Sequence, residues 1–263
     1  MPNIGVLREG PLHAALKALL ARPGDRLEVP VGRYVIDLVR ADGELVEVQT
    51  GGFSALGPKL DGLLDEYRMR IVYPVAAERR IVRVDADGEI TAIRPSPKRA
   101  GVIEVFDRLV AFPSLLTHPH LTVEVLLLRE DHVRAPHPSR GGRRTRDPGE
   151  RRLVDVLDRV ELRRPDDFLS MMPPFPSDPF STRELATVLR CRVLLAQRAV
   201  YCLRMMGVVE AAGKRGPAPL HRLSAAQSPR GRSKPGEQPR PPRTSTARAP
   251  CQPRTSGDPG RRV

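Results

Sequence analysis

Apolar residues recur at helical spacing near the start of the chain: Leu12, Leu16, Leu19 and Leu20, with Ala14, Ala15 and Ala18 beside them. Three- and four-residue spacing builds one apolar stripe, so a helix is expected from Gly10-Pro11 to just before Pro23-Gly24. Arg26 to Val31 reads as a short strand, and Pro30 places it at a sheet edge. Two alternating runs follow, Tyr34 to Arg40 and Glu44 to Thr50, around Ala41-Asp42-Gly43. Val46 and Val48 share one face of the second run, and Glu47 and Gln49 share the other. On the first run Ile36 and Leu38 share a face, with Asp37 opposite. A two-residue turn at Asp42-Gly43 would set Leu38 against Glu47, and a one-residue slip reverses every side chain. Matching the apolar faces calls for a three-residue turn or a bulge. Asp37 then lies across from Glu47 or Gln49, and the three polar groups meet. A carboxylate is costly to bury unless it is paired or bound to a metal. The cluster is therefore either a site or the wet face of a hairpin, and spacing alone allows both.

A second helix is expected from Ser54, as its cap, to Tyr67, striped by Leu56, Leu60, Leu63 and Leu64. Pro58 is early enough in it to be tolerated. Met69 to Val75 reads as a strand buried on both faces and ending at a proline. Arg80 to Val84 and Ile90 to Ile93 flank Asp85-Ala86-Asp87-Gly88 as a second hairpin. Val102 to Leu116 is expected to be helical and Leu121 to Leu128 a strand, closing an α/β domain over 1–135. Residues 136–149 carry Arg140, Arg143, Arg144 and Arg146 among Gly, Pro and Ser, as a basic linker or a phosphate-contacting arm.

From Glu150 the spacing of Leu153, Val154, Val156 and Leu157 predicts a helix. Ser181 and Glu184 have capping-box spacing at the head of another, which ends near Leu189. Leu194, Leu195, Ala199, Val200, Leu203 and Met206 stripe a longer one that stops at Gly207. Val208 to Ala212 and Pro219 to Leu223 read as strands around a tight basic turn, Gly213 to Gly216. Two helices and a hairpin predict a winged helix-turn-helix domain over 150–223, with its second helix in the major groove. Arg192, Gln197, Arg198 and Arg204 on that helix, and Lys214 and Arg215 at the wing tip, are the nucleic-acid-binding candidates. A small helical domain for protein contacts would show the same pattern.

Composition changes the picture at one end. The net charge of the 263 residues is +13, which favours an anionic partner. Residues 224–263 hold nine Lys and Arg against two acids, with eight prolines and no aromatic residue. Such a stretch cannot bury enough to fold, so a disordered basic tail is expected there. Cys191, Cys202 and Cys251 are far apart, which argues against a structural zinc site or a disulfide scaffold. Pro2 to Gly10 lacks a long apolar run and no segment is apolar enough to span a membrane. A cytoplasmic protein is expected.

The first half resembles the restriction-endonuclease-like superfamily of PD-(D/E)xK nucleases. The likeness rests on Asp37 in one strand, Glu47-x-Gln49 in the next, the helix directly after, and Glu9 at the head of the upstream helix. The second half is similar to winged-helix domains. Residues 1–223 also look like a group of uncharacterised bacterial proteins with this layout, including the runs at 24–30 and 212–216. The superfamily resemblance implies a mixed sheet flanked by helices and a metal-dependent endonuclease acting on DNA. Asp37 and Glu47 would hold Mg²⁺ (or Mn²⁺), and Glu9 would reach a second ion through water. No small-molecule cofactor is implied, and a dimer is allowed. Ile36 stands where the motif has proline and Gln49 where it has lysine. Gln49 would orient the attacking water without supplying charge. Lys59 on the next helix and His13 beside Glu9 are within reach of such a site, though each also reads as an ordinary structural residue. The alternative is a non-catalytic DNA-binding protein or regulator with an inactive nuclease-like core.

Overall fold

The computed structural model describes residues 9–135 and 149–224. The expected basic linker before Gly149 and the expected tail after Ser224, with Cys251, lie outside the described residues. Helix α1 (Pro11–Leu20) opens on its proline, whose missing N–H is harmless in a first turn. Leu12, Leu16 and Leu20 are buried, and Leu19 faces out.

Strands β1 (Arg26–Val31), β2 (Tyr34–Val39) and β3 (Leu45–Val48) are antiparallel neighbours, with β1 at the sheet edge. Leu38 pairs with Val46 and Val39 with Leu45. The loop between them is the three-residue turn that apolar matching requires. Arg40 N–H donates to Glu44 O at 2.9 Å, and Gly43 takes a φ of 84° that side chains resist.

Helix α2 (Gly57–Leu63) starts later than Ser54, and Ser54 caps nothing. A helix begun at Ser54 would need an N–H from residue 58, and Pro58 has none; it sits instead in the first turn. Strand β4 (Met69–Val84) runs straight through Pro74 rather than ending there, with β5 (Ile90–Pro95) along its far end. The helix expected over 102–116 is broken into a 3-10 turn, a short α3 (Phe106–Leu109) and a second 3-10 turn opened by Pro113. Strand β6 (Leu121–Arg134) runs parallel to β4 along most of its length.

The segment expected as a helix from Glu150 is strand β7 (Glu150–Leu162), antiparallel to β6. Two bulges explain the misleading spacing. Asp158 and Val156 face consecutive residues of β6, as do Asp155 and Leu153, so Leu157 and Val154 are the extra residues. Both are exposed, at 39% and 42%. Residues extruded from a ladder break its period of two and imitate a helical one.

The main sheet has the order β1-β2-β3-β4-β6-β7, with β5 on β4. Helix α1 covers one face through Leu12, Leu16, Leu38, Val46 and Leu126. The other face carries a larger apolar cluster that includes Leu60, Ile71, Phe106, Leu195 and Leu203. This is a mixed α/β fold with a large mixed sheet flanked by helices.

After β7 come α4 (Pro165–Ser170), β8 (Phe180–Ser181), α5 (Thr182–Val188), α6 (Val193–Met205), β9 (Val209–Arg215) and β10 (Ala218–Leu223). The three strands form a small sheet, β8-β10-β9. The capping box at Ser181 and Glu184 is present. The hairpin turn lies further along than Gly213 to Gly216: β9 continues to Arg215, which faces Ala218. Gly213, at φ 93°, relieves a register shift inside the strand instead of making the turn. No helix among the described residues is long and apolar enough to cross a membrane.

Candidate functional site

The β2–β3 ladder ends at Leu38 and Val46, and the site begins one step beyond. Continuing the register sets Asp37 opposite Glu47. Asp37 Oδ2 accepts the Val48 N–H at 2.8 Å, so a carboxylate stands where a strand carbonyl would have been. The same oxygen lies 3.2 Å from Nε2 of His13 on α1. Burial pushes the Asp37 carboxyl up, but the His13 and Val48 hydrogen bonds outweigh it and hold it below the ordinary aspartate value.

Glu47 is buried in the middle of the sheet. Its Oε1 takes Lys59 Nζ at 2.6 Å and Gln49 Nε2 at 3.4 Å. Its Oε2 is buried with no hydrogen-bond partner among the described residues. Burial and then the neighbouring Asp37 charge raise its pKa, which Lys59 offsets only in part. Lys59 is anchored by a second bond, to Val35 O at 2.8 Å.

Behind Asp37, His13 spans two carboxylates. Its Nδ1 is 2.8 Å from Glu9 Oε1. Lys17, one turn further along α1, reaches Glu9 at 2.8 Å and Glu28 at 2.7 Å. The hydrogen bond to Asp37 raises the His13 pKa against the opposing effect of burial. Glu9 is thus held by His13 and Lys17 on α1 and orients His13. A small cleft of about 210 Å³, lined by Glu9, His13, Gln49 and Thr50, opens beside the cluster, and His13 and Thr50 also line a larger one of about 780 Å³.

Asp37, Glu47, Gln49 and Glu9 are therefore drawn to one locality. The alternation of the strands pointed to the first three. Lys59 and His13 were the residues that sequence reasoning set aside. The available signal was an empty lysine position at Gln49 with a lysine early in the very next helix, and a histidine four residues after Glu9.

The nucleic-acid-binding candidates are placed less uniformly. Arg192 and Arg198 both reach Asp107 on α3, at 3.3 and 2.9 Å. Arg215 pairs with Glu184 at 2.7 Å. Gln197, Arg204 and Lys214 are exposed. The outer face of α6 also presents Leu194, Tyr201 and Met205 to solvent.

A family model described as a domain of unknown function (DUF8091) matches residues 10–163. That stretch runs from α1 through β7 and holds Asp37, Glu47, Gln49 and Lys59. An uncharacterized protein of Treponema pallidum (strain Nichols) is 29% identical over 225 residues, 84% of this chain and 87% of the relative. No solved structure matches the chain significantly.

Proposed function

We propose that this chain, which belongs to the DUF8091 family, is a metal-dependent phosphodiester hydrolase acting on DNA, with a restriction-endonuclease-like core and a winged-helix region. The observation that carries the reading is Glu47 Oε2, a buried carboxylate oxygen that makes no hydrogen bond among the described residues, beside the second carboxylate of Asp37. Leaving such an atom unpaired is unfavourable, and a hard cation would satisfy it. The two side chains offer only oxygen, which suits Mg²⁺ or Mn²⁺. Among the described residues no three or more His, Cys, Asp or Glu side chains group as a metal site. Mg²⁺ commonly keeps waters and substrate phosphates for its remaining positions. When bound, the ion supplies Lewis acidity to the phosphodiester and its attacking water.

The chain's own groups divide the remaining work. Asp37 and Glu47 hold the ion. Lys59 brings to Glu47 the positive charge that Gln49 lacks, and Gln49 steadies the same oxygen. His13, held by Glu9, keeps Asp37 oriented. The antiparallel β1–β2–β3 run and the parallel β3–α2–β4 crossover support the restriction-endonuclease-like reading. The order helix, strand, helix, helix, hairpin from α4 to β10 supports the winged-helix reading. A second reading for that region, protein contact in place of base contact, is favoured by the ion pairs that occupy Arg192 and Arg198 and by the exposed apolar face of α6.

Purified protein is expected to cleave members of a mixed DNA and RNA panel only when Mg²⁺ or Mn²⁺ is supplied. Asp37→Ala and Glu47→Ala should abolish cleavage, and Lys59→Ala should lower the rate by about 10²–10³. If every substrate survives intact with the wild-type chain, the hydrolase reading is wrong.

A further inference from the structure

One edge of β4 is bare in its middle. β3 gives out where Gln49 N–H bonds Val72 O, and β5 takes over where Ser96 N–H bonds Arg79 O. Between them, Tyr73 to Ala76 have β6 on one side and, among the described residues, no strand on the other. Val72 O faces β3, so alternation turns the Pro74 nitrogen to the same open side, where its missing N–H deprives no ladder. A cleft of about 220 Å³ opens over the gap, lined by Tyr73, Pro74 and Thr50 among others.

Five cations line this cleft: Arg79 on β4, Lys98 beyond β5, Arg108 on α3, Arg151 on β7 and Arg192 at the cap of α6. Two carboxylates line it, Glu104 and Asp107. The surrounding pairs are short of negative charge. Arg79 and Arg151 share the fully buried Glu130, and Arg192 and Arg198 share Asp107. Arg108 bonds the Tyr73 hydroxyl at 3.1 Å and has no carboxylate partner among the described residues. Lys98 makes no ion pair among them either. Cations gathered from five separate stretches of chain repel one another unless an anion joins them. Thr50 links the cleft to the carboxylate site: it lines both, and its carbonyl accepts from Arg151 at 3.2 Å.

We propose that this cleft is a phosphate-binding site that seats a phosphate of a nucleic-acid strand one step beyond the carboxylate pair. Guanidinium groups match phosphate oxygens in a forked geometry that a lone ammonium lacks, and four of the five cations are arginines from different elements converging with Lys98. Identifying the ligand as nucleic acid rests on the hydrolase reading above, whereas the surplus of positive charge does not. The phosphate is either internal to the strand or at its end.

The test measures binding of a short labelled single-stranded oligonucleotide to the full chain in EDTA, over a range of salt. Lys98→Ala and Arg108→Gln should each weaken binding and lower the slope of log K against log salt by about 0.7. Lys98 is exposed, so its variant keeps the fold even if Arg108→Gln loses Tyr73 packing. A double variant with wild-type affinity and slope overturns the proposal, and so does a wild-type chain that fails to bind at low salt. Comparing oligonucleotides with and without a 5′-phosphate assigns the source: equal affinity marks an internal phosphate, and a preference lost in Arg108→Gln marks a terminal one. Cleavage plays no part in EDTA. Slope loss in a chain that cuts nothing upholds the cleft and sinks only the hydrolase reading, and cutting without slope loss does the reverse.

Discussion

Glu47 keeps its two oxygens in different company. Lys59 neutralises one, and the other makes no hydrogen bond among the described residues. That asymmetry makes a direct prediction about metal. At about 100 times its Kd, a bound ion stabilises the folded state by about 2.7 kcal/mol. Thermal unfolding of the wild-type chain should therefore rise by several degrees with Mg²⁺ or Mn²⁺ and fall back on chelation. Asp37→Ala and Glu47→Gln should show no such rise; an undiminished rise in either variant would place the ion elsewhere. Apolar matching asked for a three-residue turn or a bulge between β2 and β3, and the turn is there; the strict alternation expected of β2 is not, because Ile36 packs in the larger cluster and Leu38 against α1, on opposite faces of the sheet. Apolar matching was not enough to recruit Lys59, because whether a helix lysine reaches a neighbouring strand depends on how the helix lies on the sheet.

His221 carries a second residue-level prediction. It is buried against Phe180, its Nδ1 has no partner among the described residues, and burial followed by the Arg204 charge lowers its pKa below the ordinary 6.5. The unfolded chain then binds the proton more readily than the folded one. Its contribution to stability is full above about pH 6.5 and is lost as pH falls through the folded-state value. Melting curves of wild type and His221→Phe should converge in acid-induced loss only if this is wrong; the variant is expected to lose less stability between neutral and mildly acidic pH.

Among the elements, α5 has the most explicit start. Ser181 Oγ accepts the Glu184 N–H at 3.3 Å, and Glu184 Oε2 accepts the Ser181 N–H at 2.7 Å. Ser181→Ala should lower stability by about 1 kcal/mol in urea unfolding, and no change would mean that the box is not formed in solution. This helix was legible because its signal is local. Strand β7 was not. Its bulged residues Val154 and Leu157 occupy positions that only the partner strand β6 defines, so its own sequence carries a helical rhythm. The break in the helix expected over 102–116 is local again, since Pro113 cannot continue one.

At the scale of the whole molecule, the larger apolar cluster reaches from Ile36 on β2 to Val209 on β9. The described residues fall within one unit, Met1–Ser228. A fragment ending at residue 135 would lose β7 from β6 and α6 from the face carrying Phe106. It is therefore expected to lack a cooperative thermal transition, and a sharp melt from residues 1–135 alone would refute the shared core. The sequence by itself determined α1, the hairpin strands and the capped start of α5, and it narrowed the β2–β3 connection to a three-residue turn or a bulge. It could do so because those constraints act between residues a few positions apart. Tertiary structure alone decided which strand borders β6, which lysine meets Glu47, and how five cations from distant stretches close on one cleft. Those outcomes depend on packing between segments far apart in the chain, and no short-range pattern encodes the angle at which they meet.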